Sequence, residues 1–200
     1  MKEQLIDAAM ILSKTVEDMC IGEIGQAVCR YDVNVTVDAY LKNIKGKTAS
    51  LFSTACELGA LEAGCNSDVA GKLKCFGEYL GIMFQFRDDL LDFTSSEVAE
   101  GKKTHKDFHD GIYTLPVLMA LKAAEGREAL LPIMRENAKR NLSAEEIEQM
   151  EKDVIRCGGV ERTVEEIHRY AALAGEILNS LEDIPEARKI RRMLDKLEEI

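Results

Sequence analysis

The sequence predicts an all-α protein with its helices packed as a bundle, and three observations lead there. Helix breakers are scarce, with three prolines in 200 residues and few β-branched runs. Apolar residues recur at three- and four-residue steps along most of the chain. Local start and stop signals also fall where helices should begin and end. In order, Leu5, Ala9, Leu12, Val16, Met19 and Cys20 form the stripe of an amphipathic first helix. "VNVTV" at 33–37 is the one stretch that alternates like a strand. A helix through 47–64 is rich enough in Ala, Ser and Gly for neighbours to approach closely, and another runs over about 69–93. "SSEVAEGKKTHKDFHDG" reads as a loop, with glycines at 101 and 111. "TLPVLMALKAA" restarts a helix with Pro116 near its first turn, where a missing N–H costs little. Ser143 and Glu146 make a capping box opening a helix to about Cys157, the glycines at 158–159 break it, and 160–181 and 186–199 supply the last two. No repeat or linker divides the chain, so residues 1–200 are expected to form a single domain.

Composition narrows the setting. A chain of this length buries roughly 70% of its unfolded surface. The 26 Lys+Arg against 36 Asp+Glu give a net charge of −10, which argues against nucleic acid or an anionic membrane as the main partner. An anionic substrate would then need local lysines or a bridging cation. The six cysteines (Cys20, Cys29, Cys56, Cys65, Cys75, Cys157) show no CxxC pair and are expected as buried thiols of a reducing compartment. The first twenty residues carry early acids and too short an apolar run for a signal peptide or membrane span. A cytoplasmic protein without an integral membrane segment is expected.

"FQFRDDLLDF", residues 84–93, places Asp88, Asp89 and Asp92 in an otherwise mostly apolar stretch. On a helix, Gln85, Asp88, Asp89 and Asp92 share a polar stripe, while Phe86, Leu90 and Phe93 lie on the other side. Two carboxylates about 6 Å apart in a cleft of effective dielectric near 20 repel by roughly 3 kcal/mol. That is large beside a net stability of about 5–15 kcal/mol. Protonation, a basic neighbour or a divalent ion must compensate. Carboxylates without adjacent His or Cys suit a hard cation, and Mg²⁺ in particular shares its few protein ligands with substrate phosphates. His105 and His109, spaced four apart, lie in a glycine-flanked loop without helical support and are not expected to form a metal pair.

"GIMFQFRDDLLDF" followed by "GKKTHKDFHDGIYTLPVLMAL" resembles the second aspartate-rich region of the trans-type polyprenyl diphosphate synthases. The resemblance extends through "GEIGQ" at 22–26, "YLKNIKGKTASLFSTACELGALEAG" at 40–64 and "GGVERTVEEIHRYAALAGEILNSL" at 158–181, nearly the whole chain. It implies the later part of the isoprenoid synthase type I fold. It also implies that Asp88, Asp89 and Asp92 form the Mg²⁺ site, with Asp88 the direct ligand and the others partly supporting. Lys47 and Lys102 match lysines that hold the allylic diphosphate. Thr48 and Gln85 match positions beside the developing allylic cation, where uncharged oxygens help without acting as nucleophiles. Glu23 and Gln26 match positions serving helix packing and supporting hydrogen bonds. The implied reaction is ionisation of an allylic diphosphate, attack by the double bond of isopentenyl diphosphate, then proton loss. Charge grows on the leaving oxygen as its bond breaks, so cations placed there stabilise the transition state more than the ground state.

The departures from the family carry equal weight. Members also have a first aspartate-rich motif and upstream basic residues that hold isopentenyl diphosphate. Here adjacent aspartates occur only at 88–89 and no arginine precedes Arg30. "GIYT" places Ile112 where the family has a lysine, removing one diphosphate contact. A bundle lacking several helices would expose a long apolar face. The expectation is therefore one subunit of a heteromeric, split synthase, inactive without a partner that carries the first motif and the isopentenyl diphosphate site. A non-catalytic subunit tuning chain length, or a fragment of a longer enzyme, is the alternative.

Overall fold

The computed structural model describes residues 2–94, 105–181 and 187–198. The elements are α1 (Lys2–Val28), α2 (Val37–Ile44), a π-helical turn (Lys45–Ala49), α3 (Ser50–Glu62), α4 (Ser67–Thr94), the one-turn α5 (Lys106–His109), α6 (Leu115–Ala120), α7 (Ala124–Asn137), α8 (Ala144–Arg156), α9 (Gly159–Asn179) and α10 (Ala187–Glu198). Among the described residues there is no strand, so the all-α prediction holds. "VNVTV" is a turn leading into α2. The Asp32 carboxylate accepts from the Asn34 N–H, and Thr36 Oγ1 accepts from the Ala39 N–H as the helix cap. These local side-chain bonds take the backbone groups that a strand would have paired.

The chain divides into two units. Unit 1 comprises Met1–Ile24, Leu41–Gln85 and Ile167–Ile200. Its core holds Ile44, Phe76, Leu80, Ile82, Met83, Ile167 and Leu178. Tyr79 meets Tyr170 edge-on at 5.7 Å between ring centroids. The small residues of α3 do what their composition promised, because Gly77 and Gly81 of α4 press directly on it. A Cβ on Gly77 would stand 2.5 Å from the Phe52 carbonyl oxygen, and one on Gly81 would stand 2.5 Å from the Ala49 Cα.

α1 forms as predicted but faces unexpectedly. Its predicted stripe points outward: Leu5, Leu12 and Val16 are exposed, as are Ile6, Met10, Ile21 and Ile24. The inward side is made by small and polar groups. Thr15 is buried and its hydroxyl meets that of Thr54 at 2.5 Å. Apolarity around most of a helix is the pattern of one enclosed on several sides. The cysteine expectation also fails in part. Cys157 is buried, but Cys20 and Cys75 are exposed on α1 and α4.

Unit 2 comprises Gly25–Tyr40 and Phe86–Glu166. Phe86, Leu90 and Phe93 enter its core with Phe108, Leu130, Met134, Met150 and Val154. Every residue of α6 is buried. Asn137 Nδ2 donates to the Phe108 carbonyl at 2.6 Å. The capping box of α8 is formed in both directions. Glu146 N–H donates to Ser143 Oγ at 3.3 Å, and Ser143 N–H donates to Glu146 Oε2 at 2.8 Å. Arg140 clasps the same carboxylate at 2.9 and 2.6 Å. The Arg140 guanidinium, then the Ser143 backbone, bring the Glu146 carboxyl down from 4.5 to about 2. A folded-state value below the unfolded one stabilises above the unfolded value and is lost as pH falls through the folded one. Glu146→Gln should therefore lower the melting temperature at pH 7, and the gap from wild type should close as pH drops from 4.5 towards 2, read by thermal denaturation across pH.

Candidate functional site

The lysine-bearing part of the site is built on the π-turn of unit 1, "KGKTA". π-turns insert one extra residue per turn and recur where a helix must turn functional groups outward. This one lies against α1 at two glycines. A Cβ on Gly22 would stand 2.3 Å from the Lys47 nitrogen and 2.5 Å from the Asn43 carbonyl oxygen, and one on Gly46 would stand 2.6 Å from the Asp18 carbonyl oxygen. Backbone thus touches backbone where the chain turns into Lys47. Gly22→Ala should push the two apart, costing about 1–3 kcal/mol by overpacking. Urea denaturation would measure that cost, and a stability unchanged from wild type would contradict the contact.

Three predicted residues lie at this turn. Thr48 Oγ1 donates to Gln85 Oε1 at 2.8 Å, joining two candidates 37 positions apart. Lys47 Nζ pairs with Glu23 Oε2 at 3.0 Å, both side chains more than a third exposed. Glu23, expected to serve helix packing and supporting hydrogen bonds, holds the ammonium of Lys47. Lys102 lies outside the described residues.

The aspartates belong to unit 2, on the continuing α4, and they occupy three different environments. Asp88 is exposed. Asp92 is half-buried, and burial raises its carboxyl above the ordinary range, opposed by the charge and the backbone N–H of His105. Asp89 is 3% exposed, and its Oδ2 accepts from the Tyr40 hydroxyl at 2.5 Å and the Leu115 N–H at 3.1 Å. The shared polar stripe is therefore divided: Asp88 points to solvent and Asp89 into the core. The reason lies in the partners that Tyr40 and the start of α6 bring to it. Burial, then the charge of Asp89, hold the Tyr40 hydroxyl well above its usual value, so it remains a donor. Tyr40 also stacks on Phe86 with ring centroids 6.3 Å apart. Residue type alone gave no signal for Tyr40, which is 49 positions from its carboxylate.

His105 is buried and has a left-handed backbone, with His109 a turn later at the end of α5. Ile112 is half-buried, its N–H bonded to the Asp107 carbonyl at 2.8 Å. Among the described residues, no three His, Cys, Asp or Glu side chains converge to hold a metal ion by themselves. Asp88 and Asp92, one helical turn apart and neither fully buried, still fit a hard cation that takes one or two carboxylates and completes its shell from water and phosphate. They do not fit an all-protein cage.

The polyprenyl synthetase family profile matches residues 1–153. The chain is 35% identical over 174 residues to heptaprenyl diphosphate synthase component 2 of Bacillus subtilis, covering 87% of this chain and 49% of that protein. It is similar in fold to a decaprenyl diphosphate synthase of Rhodobacter capsulatus, with a TM-score of 0.88 at 29% identity, over 100% of this chain and 61% of the other. A polyprenyl synthase of Caulobacter crescentus in complex with calcium and isoprenyl diphosphate gives a TM-score of 0.86 at 29% identity, over 100% and 61%. The chain spans about half the length of the curated relatives it matches. These solved neighbours share the isoprenoid synthase type I fold, the all-helical architecture expected from the residues. A match of that extent, on the fold and motifs described, means that the chain belongs to the polyprenyl synthetase family.

Proposed function

We propose that this chain is one subunit of a heteromeric polyprenyl diphosphate synthase. With a partner, it would catalyse the Mg²⁺-dependent head-to-tail condensation of an allylic diphosphate with isopentenyl diphosphate. The observation that carries the reading is the outward apolar surface of α1, where Leu5, Met10, Val16 and Ile24 are each at least 60% exposed. Monomers rarely leave such a surface bare, and an obligate partner is what covers it. Two relatives bear the name component 2 of a heptaprenyl diphosphate synthase, which implies a second component in those enzymes. In this reading the partner brings the first aspartate-rich motif and the isopentenyl diphosphate site. Residues 1–200 work as one domain in the cytoplasm.

The residues then divide the work. Asp88 and Asp92 hold Mg²⁺, which when bound supplies Lewis-acid stabilisation of the departing diphosphate. Asp89 supports them from the core side. Lys47 and Lys102 bind diphosphate oxygens, and Glu23 keeps the Lys47 ammonium oriented until the more highly charged diphosphate competes for it. Thr48 spends its proton on Gln85 Oε1. Its oxygen lone pairs are thereby left for the developing allylic cation, a stabilising dipole that is too weak a base to trap the cation.

Co-expression with a polypeptide bearing the first aspartate-rich motif tests the proposal. Labelled isopentenyl diphosphate should be incorporated only when both chains and Mg²⁺ are present. A stable complex that binds both diphosphates but transfers no prenyl group at saturating Mg²⁺ would refute it.

A further inference from the structure

α1 has 27 residues and is about 40 Å long at 1.5 Å per residue, and its bare apolar side chains are not scattered. At about 100° per residue they fall into two lines. Leu5, Leu12 and Val16 make the first, and Met10, Ile21 and Ile24 the second, each about half exposed or more. The lines lie roughly 130° apart around the helix axis, with exposed Cys20 between them. The first line runs on to Glu23, whose carboxylate holds Lys47. A packed helix meets its neighbour with an apolar stripe about 100° wide. Together the two lines span roughly 180°, more than one neighbouring helix covers.

The polar side chains around these lines are mainly acids. Asp7 and Glu17 are exposed. Lys14 is the one cation among residues 5–24, and it already serves two carboxylates, Glu17 Oε2 at 3.0 Å and Asp18 Oδ1 at 2.9 Å. We infer that two neighbouring helices of the partner chain seat on the two lines, and that Lys or Arg side chains bordering them face Asp7 and Glu17. The inference rests on the proposed function and names the partner surface that it requires. Opposite charges at the rim of an interface steer encounter and fix register. The helix on the first line passes the Glu23–Lys47 pair, which brings the partner beside the lysine assigned to the diphosphate. A second copy of this chain fits the surface poorly. A two-fold contact sets one surface against itself, so α1 against α1 would bring acids towards acids. It would also cover one line on each copy and leave the other bare.

The test uses the full chain co-expressed with the polypeptide that bears the first aspartate-rich motif. Val16→Lys on the first line and Ile24→Lys on the second should each abolish the complex in size-exclusion chromatography at micromolar concentration. Both positions are exposed, so lysine there should leave the helical circular dichroism of the chain unchanged. Glu17→Lys should slow association and weaken its dependence on salt. Maleimide labelling read by mass spectrometry supplies a measurement without mutation. Cys20 should be protected in the complex relative to Cys75, which is exposed on α4. Loss of the complex with only one of the two lysine variants would mean a single covering helix and overturn the inference. Cys20 labelled in the complex as fast as Cys75, or a Cys20–Cys20 disulfide joining two copies on mild oxidation, would overturn it as well. None of these results touches the proposed function if the complex still transfers prenyl groups. A complex that protects Cys20 and needs both lines, yet transfers none at saturating Mg²⁺, would sink the proposed function and leave the docking surface standing.

Discussion

Asp88→Ala should lower prenyl transfer by the assembled enzyme about 10²–10³-fold while leaving its melting temperature unchanged. The two halves of that expectation have separate physical origins. Asp88 is exposed, so truncating it opens no buried cavity, and surface changes of that kind usually stay within about 0.5 kcal/mol. The loss of activity follows from charge. A carboxylate on the cation that takes up the leaving diphosphate acts where negative charge develops, and removing one such stabilising group costs about 3–4 kcal/mol of barrier. At about 1.4 kcal/mol per tenfold this gives the stated range. Single-turnover rates at saturating Mg²⁺ and both substrates are the measurement. Rates within about twofold of wild type would remove Asp88 from the site and with it the reason for the exposed charge.

What could be read from the residues depended on how local its cause is. The capping box was legible because Ser143 and Glu146 are three apart and bond each other's backbone. α7 gives no such local signal, since its fourteen residues include Gly126 and an internal Pro132, both breakers by propensity. Tertiary packing overrides them: Leu130 and Met134 are fully buried. The strand-like alternation of "VNVTV" makes no strand, because alternation over five residues weighs less than the turn bonds of Asp32 and Thr36. At the site, the grouping of Thr48 with Gln85 came from family resemblance, and the 2.8 Å bond between them gives it a geometry. The π-turn that presents Lys47 is set by the contact of Gly22 with the backbone of residues 43–47. No window of sequence spans both sides of that contact. The same distance in sequence concealed the differing fates of three aspartates within five residues.

Those differing fates make Asp89 the counterpart of Asp88. Asp89→Ala should destabilise the protein by about 3–5 kcal/mol, the cost of removing one member of a buried charged hydrogen-bonded group. Tyr40 and the Leu115 N–H, which donate to one carboxylate oxygen at 2.5 and 3.1 Å, would lose their acceptor together. Each buried donor left unmet costs about 1–3 kcal/mol, so two account for the figure independently. Water is poorly placed to replace the carboxylate, because Asp89 is 3% exposed and Leu115, at the start of the wholly buried α6, is 0% exposed. Tyr40→Phe removes only one donor and keeps the stacking on Phe86, so it should cost less, about 1–3 kcal/mol. The double variant should cost less than the sum of the two, because Asp89→Ala has already removed the acceptor that the Tyr40 hydroxyl used. Urea denaturation of the four proteins measures this coupling. Full additivity, or an Asp89→Ala cost below about 1 kcal/mol, would mean that the carboxylate is not the joint between α2, α4 and α6 that its hydrogen bonds describe.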